Sequence, residues 1–428
     1  MSPRARTAWC LALSCALLAI TASASARPRR VPARRIAPMP AQESREHLTV
    51  VTRTHGRWRP LAFDGHVHTS HSHDADHPTL DVMTLAERMD LEAIVITDHG
   101  SSSATLDLAR YQGPVTALVG EELGGSFGHA VVWNIPDRRG IGAVSEQLDT
   151  LGPLVRSRGG VLVLAHPGWW IGRNQFDPRR WMQYDALRRG GIGEHIDALE
   201  LWNQVYWQRS RELIDEWLGL LERGLYVPIV GNSDFHRVGS HTLGMPRNVF
   251  LCEEDASGAL RQPVGECLLE AVRAGRLYVS DGPTVAWSVA DRLPGDVVVA
   301  IPRTLVAVRM RAMAPDGGTL ELYRGREVIE TLPLSPGEIA EATWLVRVPD
   351  EDTFLRVEIQ RTTPVPSRPA FSLVSNPVRL EVVPFRDEWR GPPERRVRAP
   401  LGFTLRDRER AIERAAQQRE RRRARRRT

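Results

Sequence analysis

Six apolar runs between residues 93 and 234 constrain this chain most: AIVIT (93–97), VTALVGEE (115–122), AVVWNI (130–135), GVLVLAH (160–166), DALELW (197–202) and YVPIVGNSD (226–234). Each has the length of a strand and is apolar along most of it, the pattern of a strand covered on both faces. Helix-length patterns stand at 80–89, 141–156, 209–223 and 265–274. Strand, helix, strand at this pitch predicts a parallel sheet with helical crossovers, hence the α/β class. So many units in about 220 residues predict a barrel rather than an open sheet.

After SDGP (280–283) the texture changes. VVVAIP, LVAVRMRA, TLELYRG, TWLVRVP, TFLRVEIQR and VRLEVV alternate or run as strands with turn residues between them. They predict a small all-β, sandwich-like module over 284–385. No motif in it carries chemistry.

A chain of 428 residues is long enough for two such domains plus tails. Its net charge of +5 hides a split: residues 1–40 carry +7 and residues 386–428 carry +9, which leaves −11 for the body. The pI of about 9.4 therefore belongs to the ends. An acidic body argues against a specific nucleic-acid face. Every fixed cation is Arg, a bias best read as coding composition.

MSPRARTAW, CLALSCALLAI and TASASA read as the three regions of a signal peptide over 1–26, so the chain is expected to be exported, periplasmic or extracellular. The apolar stretch is too short for a permanent span. Residues 27–60 form an Arg/Pro-rich linker, and 386–428 an Arg-rich tail ending in RRRARRRT. The tail is either a solvated segment or a contact for an anionic membrane surface or polyanion. Cys10 and Cys15 leave with the signal; Cys252 and Cys267 can pair or stay as buried thiols. There is no C-x-x-C and so no thiolate zinc site.

Chemistry concentrates in FDGHVHTSHSHDADH (63–77), where five histidines and three aspartates fall within residues 64–77. His66 and His68 stand two apart at a strand end, so both imidazoles share a face and make half of a metal site. The theme recurs at the later strand ends: Asp98 and His99, Glu121 and Glu122, His129, His166, Glu200, then Asp234 and His236. In a parallel α/β barrel those ends converge on one face. Imidazole and carboxylate without thiolate suit Zn, Mn or Fe.

HVHTSHSHD, TDH, GEE, GHA, AHP and SDFH, in that order across 61–240, resemble the PHP (polymerase and histidinol phosphatase) superfamily. SNPV and ELWN are similar to exported members of its carbaryl-hydrolase-like branch. The match spans about half the chain; six motifs in register are specific where any one alone is not. The resemblance implies a distorted (β/α)7 barrel over 61–283 that holds two or three divalent ions. It implies a first ion held by His66, His68, Glu122 and Asp234. Glu122 would bridge to a second held by His129 and His166, with Asp74, His99 and His236 on a third. Glu122, Asp234 and His236 are its catalytic candidates. The spacing also admits His73 or Asp76 in place of Asp74, and Glu121 competes with Glu122, which G-x-E selects.

Around this set, Asp98 and Glu200 are candidates to orient a ligating imidazole. Arg237 and Arg247 could clamp an anion, and His241 could reach substrate. His71 and His77 read as loop histidines, and His195 has no pattern support as a ligand. Trp169, Trp170, Trp202 and Trp207 could wall a pocket. The expected activity is a phosphoesterase that uses metal-activated hydroxide on a small, anionic phosphomonoester or phosphodiester. No G-x-S-x-G elbow offers a serine route. The alternatives are a metal-dependent carboxylic-ester or carbamate hydrolase, and a non-catalytic exported binding module. The complete ligand set opposes the last.

Overall fold

The apolar runs become strands, and the spacing of apolar residues sets the helices between them. In a computed structural model of the protein, residues 50–52, 56–125, 128–135, 138–142, 148–167 and 195–383 are described. The expected signal, residues 27–49 of the linker, the tail, Trp169 and Trp170 lie outside these residues.

The first strands are β1 (Val50–Thr52) and β2 (Gly56–Val67), which pair antiparallel. Helix α1 (Thr79–Arg88) buries Thr79, Val82, Met83 and Ala86, the i, i+3, i+4, i+7 stripe of an amphipathic helix. Strand β3 (Ala93–Ile96), short helix α2 (Ala104–Leu108), β4 (Thr116–Gly125) and β5 (Gly128–Trp133) follow. Then come α3 (Leu148–Ser157), β6 (Val161–Ala165) and β7 (Ala198–Asn203). A 3-10 turn (Trp207–Arg209) leads into α4 (Ser210–Glu222), which packs Leu213, Ile214, Trp217, Leu218 and Leu221 inward. Strands β8 (Ile229–Asn232) and β9 (Arg247–Glu254) precede α5 (Val264–Ala274), which stops at the left-handed Gly275. Every residue of β3, β6, β7 and β8 is buried, the polar Glu200, Asn203 and Asn232 included.

The class is α/β, but the strands do not form the expected (β/α)7 barrel. Strands β2, β3 and β4 are parallel neighbours, and so are β6, β7 and β8. Between these groups β4, β5 and β6 run antiparallel, and β9 lies antiparallel against the other side of β2. The reason is chain length. Only residues 126–127 separate β4 from β5, whereas a parallel crossover needs a dozen or more. The edge strand β8 returns toward β2: His68 N–H donates to Phe235 O at 2.8 Å and Phe235 N–H to His66 O at 3.3 Å. The ends of β2 and β8 therefore meet.

Strand β10 (Leu277–Ser280) continues the sheet beyond β9 and pairs with β18 (Phe371–Ser375), so one 16-stranded sheet runs through both halves of the chain. Strands β12 (Val297–Ala300), β14 (Gly318–Arg324), β15 (Glu327–Leu334), β17 (Thr353–Gln360) and β19 (Val378–Val382) belong to that sheet. Strands β11 (Thr284–Val289), β13 (Leu305–Met313) and β16 (Ile339–Arg347) make a separate three-stranded sheet. Trp287, Val308, Met310 and Val346 from the small sheet share one core with Leu320, Leu355, Val357 and Leu373 from the large one.

Two asparagines finish β8. Asn376 accepts from Ile229 N–H at 2.8 Å and donates to Ile229 O at 3.0 Å, while Asn248 does the same for Gly231 at 2.9 and 2.8 Å. These amides take the place of a neighbouring strand and satisfy backbone groups that burial would otherwise leave bare. Cys252 on β9 and Cys267 on α5 are joined as a disulfide, with their Cα atoms 5.9 Å apart.

Candidate metal centre

Alternation along β2 aims His66 and His68 to one side, where both are fully buried. Glu122 arrives from β4, His129 from the facing strand β5, His166 from the residue after β6, and Asp234 from just beyond β8. His166 and Asp234 hold φ of +23° and +52°, left-handed values that a non-glycine residue adopts only when its surroundings enforce them.

Glu122 is the hub. Its Oε2 lies 3.0 Å from His66 Nε2, 3.1 Å from His68 Nε2 and 3.4 Å from His99 Nε2. Its Oε1 lies 2.7 Å from His129 Nδ1 and 3.1 Å from His166 Nε2. Asp234 Oδ1 stands 3.3 Å from His66 Nε2 and 3.4 Å from His68 Nε2. On the more open side, Asp74 Oδ2 sits 3.2 Å from His236 Nε2 and 3.4 Å from His99 Nε2. Among the described residues, atoms that could ligate a cation converge in four groups: His66, His68, Glu122 and Asp234; Glu122, His129 and His166; Asp74, His99 and His236 together with His68; and His66, His166 and Glu200.

The alternatives to these residues lie elsewhere. Asp76 is exposed and faces Arg237 at 3.4 Å, while His73 is exposed and meets the His99 ring at 5.2 Å. Glu121 points away and pairs with Arg138, its Oε2 accepting from Nε at 2.9 Å.

Burial alone would drive the Glu122 carboxyl upward, but the His66 charge and the bonds from His129 and His166 hold it well below the usual carboxylate range. Burial would likewise lower His68, yet Asp234 and Glu122 raise it to about 9, and the same kind of contest lifts His66 and His166. His99 goes the other way, pushed down to about 4 by burial, and burial lowers His241 too. The centre thus calls for positive charge between its carboxylates. His68 Nε2 and Asp234 Oδ1 are buried there without a hydrogen-bond partner. A cation ligated by both would satisfy them, and imidazole nitrogen with carboxylate oxygen is a donor set for Zn, Mn or Fe. The residues fit the group.

A second ring of contacts orients the first. Glu200 Oε1 faces His66 Nδ1 at 3.2 Å and accepts from Asn232 Nδ2 at 2.7 Å; its Oε2 accepts from His166 N–H at 2.7 Å and Asn203 Nδ2 at 3.1 Å. His236 Nδ1 donates to Asp234 O at 2.8 Å, which turns Nε2 toward Asp74. Asp98 departs from its expected role. It accepts from Thr69 N–H at 2.6 Å and Thr69 Oγ1 at 2.8 Å, so it anchors the loop after His68 rather than an imidazole. Ser72 takes the imidazole instead, with Oγ 3.0 Å from His68 Nδ1. Asp64, pushed up to about 6 by burial, accepts from Gly244 N–H at 2.8 Å.

The remaining nominees divide. Arg237 stands half exposed at the rim, donating to Asp74 O at 3.2 Å. Arg247 is buried and donates to Gly244 O at 2.9 Å and Met89 O at 2.8 Å, so it braces backbone. His241 accepts from His236 N–H at 3.1 Å. His71 faces Asp107 at 2.8 Å, and His77 accepts from Val238 N–H at 3.1 Å. Trp202 is buried edge-on against Phe371. Ser72, Asn203 and Asn232 were not foreseen, and neither was Tyr206, whose ring lies 5.3 Å from that of His166.

No family model matches this chain, and no curated protein does. Among solved structures, a provisionally assigned metal-dependent phosphoesterase from Bifidobacterium adolescentis matches at 16% identity and TM-score 0.30, over 42% of this chain and 90% of that one. An amidohydrolase from Chromobacterium violaceum, with bound sulfate and no metal, matches at 15% identity and TM-score 0.34, over 49% and 96%. The sulfur carrier protein SoxY from Chlorobium limicola matches at 10% identity and TM-score 0.17, over 24% and 78%. At such scores the likeness carries no argument, and function is argued from the chain's own residues.

Proposed function

We propose that this chain is a metal-dependent hydrolase, and within that class a phosphoesterase acting on a small anionic phosphomonoester or phosphodiester. Glu122 carries the reading: one buried carboxylate lies against five imidazoles, three at Oε2 and two at Oε1. A carboxylate so placed can be shared by two cations. His66, His68, Glu122 and Asp234 would hold one ion, and Glu122, His129 and His166 a second. Asp74, His99 and His236 would hold a third, with His68 in reach. Bound there, two or three divalent ions would supply Lewis acidity and lower the pKa of a water.

The chain's own residues do the positioning. Glu200 faces His66 Nδ1 and keeps Nε2 turned to the centre. His99, neutral through burial, presents a lone pair rather than a charge. Arg237, half exposed and donating to Asp74 O, is a candidate to meet an anionic substrate. The Cys252–Cys267 disulfide supports the expected export, because such bonds persist in oxidising compartments. For the Arg-rich tail, residues 386–428, both readings stand, a solvated segment and a contact for an anionic membrane surface or polyanion.

The test is hydrolysis of an aryl phosphate, a bis-aryl phosphate and an aryl acetate by the full chain loaded with Mn or Zn. Phosphate or diester turnover is expected, and Glu122→Ala should lower it by at least about 100-fold. Turnover of the acetate alone would move the chain to the carboxylic-ester or carbamate hydrolases. No turnover with metal retained would leave a binding module.

A further inference from the structure

The loop between β8 and β9, residues 233–246, supplies Asp234 and His236 to the centre and then brings a third group beside them. The His241 ring lies 5.4 Å from the His236 ring. Asp234, His236 and His68 are all close enough to act on it electrostatically. It is half-buried, so part of its surface stays open to an incoming molecule.

Hydrogen bonding decides which ring nitrogen carries the hydrogen. His236 N–H donates to His241 Nδ1 at 3.1 Å. An amide N–H can only donate, so Nδ1 must present a lone pair and the ring hydrogen sits on Nε2. Among the described residues nothing accepts that hydrogen, and Nε2 is not sealed from solvent. His236 beside it differs, since its Nδ1 donates to Asp234 O and its Nε2 faces Asp74. His241 therefore holds a directed N–H donor at the edge of the metal centre.

The surrounding loop is pinned. His241 N–H donates to Arg237 O at 3.1 Å, and the next amide, Thr242 N–H, to Gln204 Oε1 at 2.8 Å. Gly239, at φ +92°, lies inside the turn that the first bond closes. Further on, Gly244 N–H donates to buried Asp64 at 2.8 Å and Gly244 O accepts from Arg247. A donor held this way needs little reorganisation to meet developing charge. Arg237 stands in the same turn, half exposed, so the turn offers a fixed positive charge beside the donor.

We infer that His241 touches the substrate: its Nε2–H donates to the phosphoryl oxygen that gains charge as the scissile bond breaks. The hydrogen is shared and not transferred. The role in catalysis rests on the metal centre being the reaction centre; the donor itself does not. A purely structural role would need only Nδ1, as the acceptor for His236 N–H. The two roles use opposite nitrogens, and that separates them. Asparagine puts its amide where Nδ1 stands and can accept from His236 N–H, but it has nothing at Nε2. Glutamine reaches one bond further and can place an N–H there.

Calorimetric titration of inorganic phosphate into the full chain loaded with Zn reads the contact without turnover. His241→Asn should weaken phosphate at least about fivefold, and His241→Gln less than about twofold. In hydrolysis of an aryl phosphate, His241→Asn should lower kcat about 100-fold with a smaller effect on KM, and His241→Gln should stay at least about tenfold above it. Phosphate affinity and kcat kept by His241→Asn would overturn the inference. So would a phosphate loss matched by lost zinc affinity, a loss in His241→Gln that His241→Asn does not share, or no phosphate bound by the natural chain. Phosphate bound and weakened by His241→Asn, without turnover of any ester by the natural chain, would remove the hydrolase reading and leave the contact standing.

Discussion

At the scale of single residues, Glu200 shows how much of this centre is orientation. It touches His66, the His166 backbone, Asn203 and Asn232 at once, and it is fully buried. Glu200→Gln should therefore weaken divalent-metal affinity by about 10–100-fold, measured by calorimetric titration, while the unfolding midpoint of the metal-free chain changes far less. Protons provide a second check. Without metal, carboxylates keep His68 protonated up to about 9 and raise His66 and His166, whereas ligation needs neutral rings. Metal uptake at pH 7 should thus release protons, and affinity should tighten as pH rises toward 9. Calorimetry in buffers of different ionisation enthalpy reads the count, and no release would sink the idea. The histidines and carboxylates that gather around Glu122 were legible because residue types able to ligate stand at strand ends. Ser72, Asn203 and Asn232 were not, since a small polar residue announces nothing until its neighbours are known. Asp98 was misjudged because it stands beside His99 in sequence. Neighbouring residues face different ways, and Asp98 meets Thr69 instead.

At the scale of elements, the sequence placed the strands well and their directions less well. The runs at 93–97, 160–166 and 197–202 became β3, β6 and β7 almost residue for residue. The hairpin between β4 and β5 was misread as one more unit of a barrel, although seven residues between the two predicted runs could never hold a crossover helix. That hairpin has a chemical use, since the close antiparallel approach lets His129 on β5 reach Glu122 on β4. Gly120 permits the approach: a Cβ there would collide with the carbonyl oxygen of Val132. Gly120→Ala should destabilise the protein by about 1–3 kcal/mol in urea unfolding. It should also weaken metal binding, because Glu122 lies two residues further along the same strand.

At the scale of the whole molecule, the metal centre and the C-terminal strands share one sheet and are tied by Asn376, whose amide completes the edge of β8 five residues before Asp234. Asn376→Ala would leave the Ile229 N–H and C=O buried without their partners, at a cost of about 1–3 kcal/mol for each group left bare. The variant should unfold at lower urea and bind metal more weakly, although residue 376 touches no ligand. A lower midpoint with unaltered metal affinity would show that the two ends of the sheet act separately. SNPV was read in the sequence as a mark of kinship, and its physical content appears only when the Asn376 amide is seen standing in for a strand. This bears on inheritance. A lineage that dropped its last hundred or so residues would lose the partner of the strand that presents Asp234, so the C-terminal segment could be shed or exchanged only by a descendant that first found another way to close that edge.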